Sequence, residues 1–152
     1  ASVYGLDDVL KAQEELKDTH YFIIKLHPHT QVHTEGTNCD IPSEELLPVA
    51  DIVITDYSSI LFDAMIYQLP LVLFAPDLEE YLASRGFYLD YHTLPGIHIQ
   101  KEEQLVKVLS DEARLNSSVN QKYHDFFQDY MAACDGHATR RIMDYVSKSP
   151  NK

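Results

Sequence analysis

The chain has 152 residues, 45% of them apolar, which is enough for one packed domain and too apolar for disorder throughout. Its 24 acids against 12 Lys plus Arg give a formal charge of −12, and a general nucleic-acid binder needs the opposite balance. Two cysteines, Cys39 and Cys134, exclude a disulfide framework, and no apolar run approaches the ~20 residues that span a bilayer.

Residues 2–18 read as a loop followed by an amphipathic helix, with Leu6, Val9, Leu10 and Leu16 along one stripe and Asp7 and Asp8 in the first turn. The run His20–Leu26 is β-branched and aromatic and predicts a buried strand, ended by Pro28. His27, His29 and His33 cluster in the polar loop that follows, but no Cys or acid completes a metal-ligand pattern there. A short edge strand is allowed around Cys39–Ile41, and Ser43, as cap, opens a helix that must end near Ala50.

Ile52-Val53-Ile54-Thr55 predicts a short buried strand. It runs into Asp56-Tyr57-Ser58-Ser59, which turn directly into a helix over 58–67. A strand end feeding a helix N-terminus presents free N–H groups at the positive end of a dipole, a place suited to an anion such as a phosphate. An ordinary helix cap explains the same residues. Tyr57 reads equally as packing against the next strand.

Pro70–Pro76 predicts a second buried strand, and Asp77 caps a short helix to Ser84. Residues 85–91 read as extended and 92–99 as a loop around Leu94-Pro95-Gly96. Helices are predicted at 102–109 and 116–131, and a C-terminal helix within 132–152, after the break at Gly136.

Strands alternate with helices across short connections, so the expected fold class is α/β: a Rossmann-like parallel sheet with helices on both faces. The chain opens on a helix where a parallel sheet ordinarily opens on a strand. The sheet is therefore expected to lack its first strand, and residues 1–152 to form a partial domain. Ligands of such sheets lie off the carboxyl ends of the strands. Those ends offer His27, the Asp56–Ser59 turn and Ala75-Pro76-Asp77.

No Lys or Arg lies between Lys25 and Arg85, and there is no GxxxxGK[ST]. Any phosphate here must be held by helix N–H groups, the Ser58 and Ser59 hydroxyls, His27, and Arg85 if the fold brings it near. Asp63, five residues after Ser58, is placed to accept from a sugar or glycerol hydroxyl, or is simply a solvated helix acid.

Lys25-Leu26-His27-Pro28, Thr55-Asp56-Tyr57-Ser58-Ser59 with Asp63, Arg85-Gly86-Phe87-Tyr88-Leu89-Asp90-Tyr91, Leu94-Pro95-Gly96 and Asp135-Gly136 follow in that order. In this order the chain resembles the C-terminal half of the CDP-glycerol glycerophosphotransferases, the teichoic-acid primases and polymerases of Gram-positive cell walls. The resemblance covers roughly residues 20–146.

It implies a GT-B architecture whose C-terminal domain holds the CDP-glycerol donor, or a related CDP-polyol. His27, Ser58 and Ser59 would contact the diphosphate, Asp63 a donor hydroxyl, and Arg85 would be a further donor-site candidate. Glycerol phosphate would pass to a lipid-linked polyol-phosphate acceptor with release of CMP. No cofactor or metal is implied.

The catalytic base of the family is a histidine in the other, N-terminal domain, so none of His29, His33 and His92 takes that role. The family's lysine after the late Asp/Asn-Gly is His137 here. The full-length protein would be cytoplasmic and peripheral on the inner membrane face.

Two other readings compete: a GT-B glycosyltransferase using a nucleotide sugar, and a non-catalytic receiver-like α/β module with Asp56 as phosphoacceptor. The second lacks the acidic pair and the late lysine that such a module needs.

Overall fold

A computed structural model describes residues 5–26 and 39–148. Three strands, β1 (Val53–Thr55), β2 (Leu71–Phe74) and β3 (Ile97–Ile99), form one parallel sheet in the order β1-β2-β3. The registers pair Ile54 with Val72 and Leu73 with His98. The helices are α1 (Leu6–Leu16), α2 (Ser43–Leu46), α3 (Ile60–Ile66), α4 (Leu78–Ser84), α5 (Glu102–Leu109), α6 (Glu112–Ser118), α7 (Gln121–Met131) and α8 (Ala138–Lys148).

The central strand explains the layering. All four β2 residues are buried, and a strand's side chains alternate between its two faces. Leu71 and Leu73 pack with Leu61, Met65, Leu78, Tyr123 and Phe126, a core built with α3, α4 and α7. Val72 and Phe74 join Ala12, Leu16, Leu105, Val108 and Leu115 on the opposite face, covered by α1, α5 and α6. The α/β Rossmann-like class expected from the sequence is therefore observed, with helices on both faces.

Several expectations are corrected. Residues 20–26 are extended but enter no strand. Tyr21 is 92% exposed, and Phe22, Ile24 and Leu26 are half-buried while Tyr21, Ile23 and Lys25 face solvent. The alternation of a strand is present, but no ladder forms among the described residues. Lys25 Nζ instead donates to the carbonyls of Cys39 (3.0 Å) and Ile41 (2.6 Å), and residues 39–41 are not a strand either.

β1 is only half-buried, because it is an edge of the described sheet. The helix at Ser43 has Pro42, not Ser43, at its cap position, and it tightens to a 3-10 turn at Leu47–Val49. α3 is shorter than predicted and starts at Ile60.

The loop assigned to 92–99 contains β3, preceded by a 3-10 turn at Tyr91–Thr93. The helix predicted over 116–131 is two helices. Asn120 stands between them and accepts from Tyr123 N at 3.3 Å, capping α7. The C-terminal helix occupies 138–148 and buries none of its residues, leaving Ile142, Met143, Tyr145 and Val146 exposed.

Candidate functional site

The carboxyl ends of β1 and β2 lie side by side, because the strands pair in register. β1 ends at Thr55 and the chain turns through Asp56–Ser59 into α3. Asp56 shapes this turn: its Oδ1 accepts from Tyr57 N at 2.6 Å and Ser58 N at 3.2 Å. Short polar side chains that capture the following N–H groups favour such turns over a continued strand. Ser58 Oγ then accepts from Ile60 N at 3.3 Å, so Ser58 satisfies one free donor of α3.

Ser59 occupies the cap position but makes no side-chain cap bond, and both serines are exposed. Asp63 is exposed in the first turn of α3, four residues after Ser59 and on the same helix face. The turn thus offers two exposed hydroxyls and a carboxylate at the entrance of a helix.

Tyr57 locks this turn to the next strand. Its hydroxyl donates to Asp77 Oδ1 at 2.6 Å. Its ring stacks on Tyr81 with centroids 3.8 Å apart and meets Phe87 and Tyr91 at 5.8 Å each. Burial, then the bond to Asp77, pushes the Tyr57 hydroxyl well above the ordinary tyrosine range, so it stays protonated and a donor. Asp77 lies at the N-terminus of α4 but does not cap it, because its carboxylate is committed to Tyr57. This corrects the expected capping role.

Arg85 ends α4, is exposed, and its guanidinium lies 5.9 Å from the Tyr81 ring. Arg85, Tyr81 and Tyr57 therefore form a continuous stack leading to the serine turn. His27 lies outside the described residues, as do His29 and His33. Among the described residues, no group of three or more His, Cys, Asp or Glu is arranged to hold a metal ion.

Sequence reasoning named Ser58, Ser59, Asp63 and Arg85 but missed Tyr57 and Asp77 as the link between them. The available signal was the aromatic density of residues 81–91, which a single strand-end tyrosine can join.

A parallel sheet sheathed on both faces, with exposed hydroxyls at a strand-to-helix turn on its carboxyl edge, defines a Rossmann-like ligand-binding domain. The sequence profile described as CDP-Glycerol:Poly(glycerophosphate) glycerophosphotransferase matches residues 5–148. The chain belongs to that family.

It is 29% identical over 155 residues to a teichoic acid poly(ribitol-phosphate) polymerase of Bacillus spizizenii, covering 91% of this chain and 24% of that protein. It is 27% identical over 148 residues to a teichoic acid glycerol-phosphate primase of the same organism, covering 91% of this chain and 38% of that protein. Among solved structures it is similar to the wall teichoic acid polymerase TagF, with a TM-score of 0.72 and 28% identity. That match covers 94% of this chain and 37% of that one. A TagF variant soaked with CDPG superposes with a TM-score of 0.74 at 26% identity, covering 97% and 39%. The chain thus spans between about a quarter and two fifths of the length of these relatives.

Proposed function

We propose that these 152 residues are the donor-binding part, a GT-B C-terminal domain, of a polyol-phosphate transferase. The enzyme would move glycerol phosphate, or a related polyol phosphate such as ribitol phosphate, from its CDP conjugate to a hydroxyl of a lipid-linked teichoic acid acceptor. The observation that carries this reading is the family match over residues 5–148, with the exposed Ser58–Ser59 turn at the carboxyl edge of the sheet inside it.

In the reaction, the acceptor oxygen forms a bond to the phosphorus that bears the polyol. The bridging P–O bond of the diphosphate breaks, CMP leaves, and the acceptor proton passes to a base. Ser58, Ser59 and the free N–H groups of α3 bind the diphosphate. His27 and Arg85 add to that binding, and Asp63 accepts from a polyol hydroxyl. Each contact grows in value as charge builds on the leaving CMP, which is how positioning and electrostatics speed phosphoryl transfer.

The base belongs to the N-terminal domain of the full-length enzyme. Among the described residues no helix is long and apolar enough to cross a membrane, and the full-length enzyme sits peripherally on the inner membrane face through that other domain.

Calorimetric titration with CDP-glycerol, CDP-ribitol and UDP-sugars tests the reading. A CDP-polyol should bind in preference to the UDP-sugars. Clear UDP-sugar binding with no response to either CDP-polyol would replace it by a nucleotide-sugar glycosyltransferase.

A further inference from the structure

The carboxyl end of β3 opens into a cavity of about 320 Å³ that the serine turn does not use. Tyr91, His92 and His98 form part of its wall, and Gln100, Lys101 and Gln104 line it from the entrance of α5. Tyr91 is only 2% exposed, and its hydroxyl is buried with no hydrogen-bond partner among the described residues. Buried hydroxyls are nearly always paired, so an orphan in a cavity wall points to a ligand as the partner.

His98 gives a second, directional signal. Its Nε2 lies 2.9 Å from the Leu94 carbonyl oxygen, which can only accept, so Nε2 carries the proton and Nδ1 is an acceptor. Nδ1 is buried and unpartnered as well. Burial holds His98 below the ordinary histidine range, which keeps the ring neutral and this tautomer in place.

At the entrance of α5, Gln104 Oε1 accepts from the backbone N–H groups of Gln100 (3.3 Å) and Lys101 (3.2 Å). That fixes the Gln104 amide and leaves its NH2 group to donate. The Lys101 ammonium is in no ion pair among the described residues. The cavity therefore combines a fixed acceptor, a hydroxyl able to donate or accept, amide donors and one cation. That set fits an anion carrying alcohols. It does not fit a divalent cation, for which a lysine and one neutral imidazole acceptor are the wrong ligands.

We propose that this cavity is a second subsite, which binds a polyol phosphate. Lys101 pairs with the phosphate, Gln104 donates to it, and Tyr91 and His98 bond to the polyol hydroxyls. The Tyr91 ring also lies 5.8 Å from the Tyr57 ring, so the cavity continues the line of the donor turn along the carboxyl edge. The inference rests on the proposed transferase reading for the role of this ligand, a unit of acceptor or product held beside the donor, and not for its chemistry.

The test is a titration of the isotope-labelled chain with sn-glycerol 3-phosphate, followed by amide NMR shifts. Saturable shifts are expected at residues 91–101. Lys101→Ala should weaken binding about tenfold, the loss of one charge-assisted contact. Tyr91→Phe should weaken it at least about threefold while leaving the thermal midpoint equal or higher, because an orphan hydroxyl has gone. No saturable response overturns the proposal, and so does equal affinity for inorganic phosphate. CDP-glycerol in a parallel titration separates the two readings. Binding of CDP-glycerol without any glycerol phosphate response sinks the second subsite alone. The reverse result supports the subsite and removes the donor reading.

Discussion

The Tyr57 hydroxyl reaches Asp77 at 2.6 Å while its ring stacks on Tyr81, so one side chain ties the end of β1 to the start of α4. Tyr57→Phe keeps the stack and removes only the bond. It should lower stability by about 1.5 kcal/mol in urea unfolding, the usual effect of losing a hydrogen bond to a charged acceptor. His98 supplies a pH dependence. Its folded pKa is depressed by burial, with Lys122 and His92 adding to the effect and the Leu94 carbonyl opposing it. Unfolded histidine protonates near pH 6.5, whereas folded His98 does so at lower pH. Between those two values the unfolded state binds more protons, so stability is full above about pH 6.5 and falls as pH drops through that window. His98→Asn should flatten that part of a stability-versus-pH curve, and an unchanged slope would show that His98 is not its source. At this scale the sequence was readable where chemistry is local. Ser58, Ser59 and Asp63 follow from one turn and one helix face. Tyr57 and Asp77 are twenty residues apart and meet only because β1 and β2 are in register.

Among the elements, β2 was legible because Leu71–Phe74 is buried on both faces and reads as an unbroken apolar run between prolines. β3 was not. It is three residues long with a histidine at its centre, and it follows directly on the Leu94-Pro95-Gly96 turn. That turn has a strict requirement. Gly96 has φ +120°, and a Cβ there would stand 2.8 Å from the Leu71 carbonyl oxygen and 2.9 Å from Leu71 Cβ. Gly96→Ala should therefore destabilise the chain by at least about 2 kcal/mol through strain and clash against the buried central strand. A thermal midpoint within a degree of the parent would show that the turn can relax. The split between α6 and α7 was hidden for a different reason. Both helices are apolar on one side, and only the side chain of Asn120, turned to cap Tyr123 N, marks the break. Residues 20–26 show the limit of periodicity. Their burial alternates like a strand's, but a strand is defined by a partner, and pairing is a property of the whole sheet.

For the whole molecule, the acidic balance and the anion site are compatible because the site needs no cluster of cations. The formal charge is −12. The described carboxyl edge offers hydroxyls at Ser58 and Ser59, helix N–H groups, and Arg85 reached through the Tyr81–Tyr57 stack. The two cores on either side of β2 hold that edge rigid, and α8, with no buried residue, contributes nothing to either. The central claim is that the Ser58–Ser59 turn grips the diphosphate of a CDP-polyol. Its most direct test is calorimetric titration of the chain and its Ser58→Ala/Ser59→Ala variant with CDP-glycerol, with circular dichroism on both. Saturable one-site binding to the parent, weakened by about 1–3 kcal/mol in a variant that remains folded, is the predicted result. Equal affinity in the two folded proteins would contradict it, and would leave the serines as helix caps only.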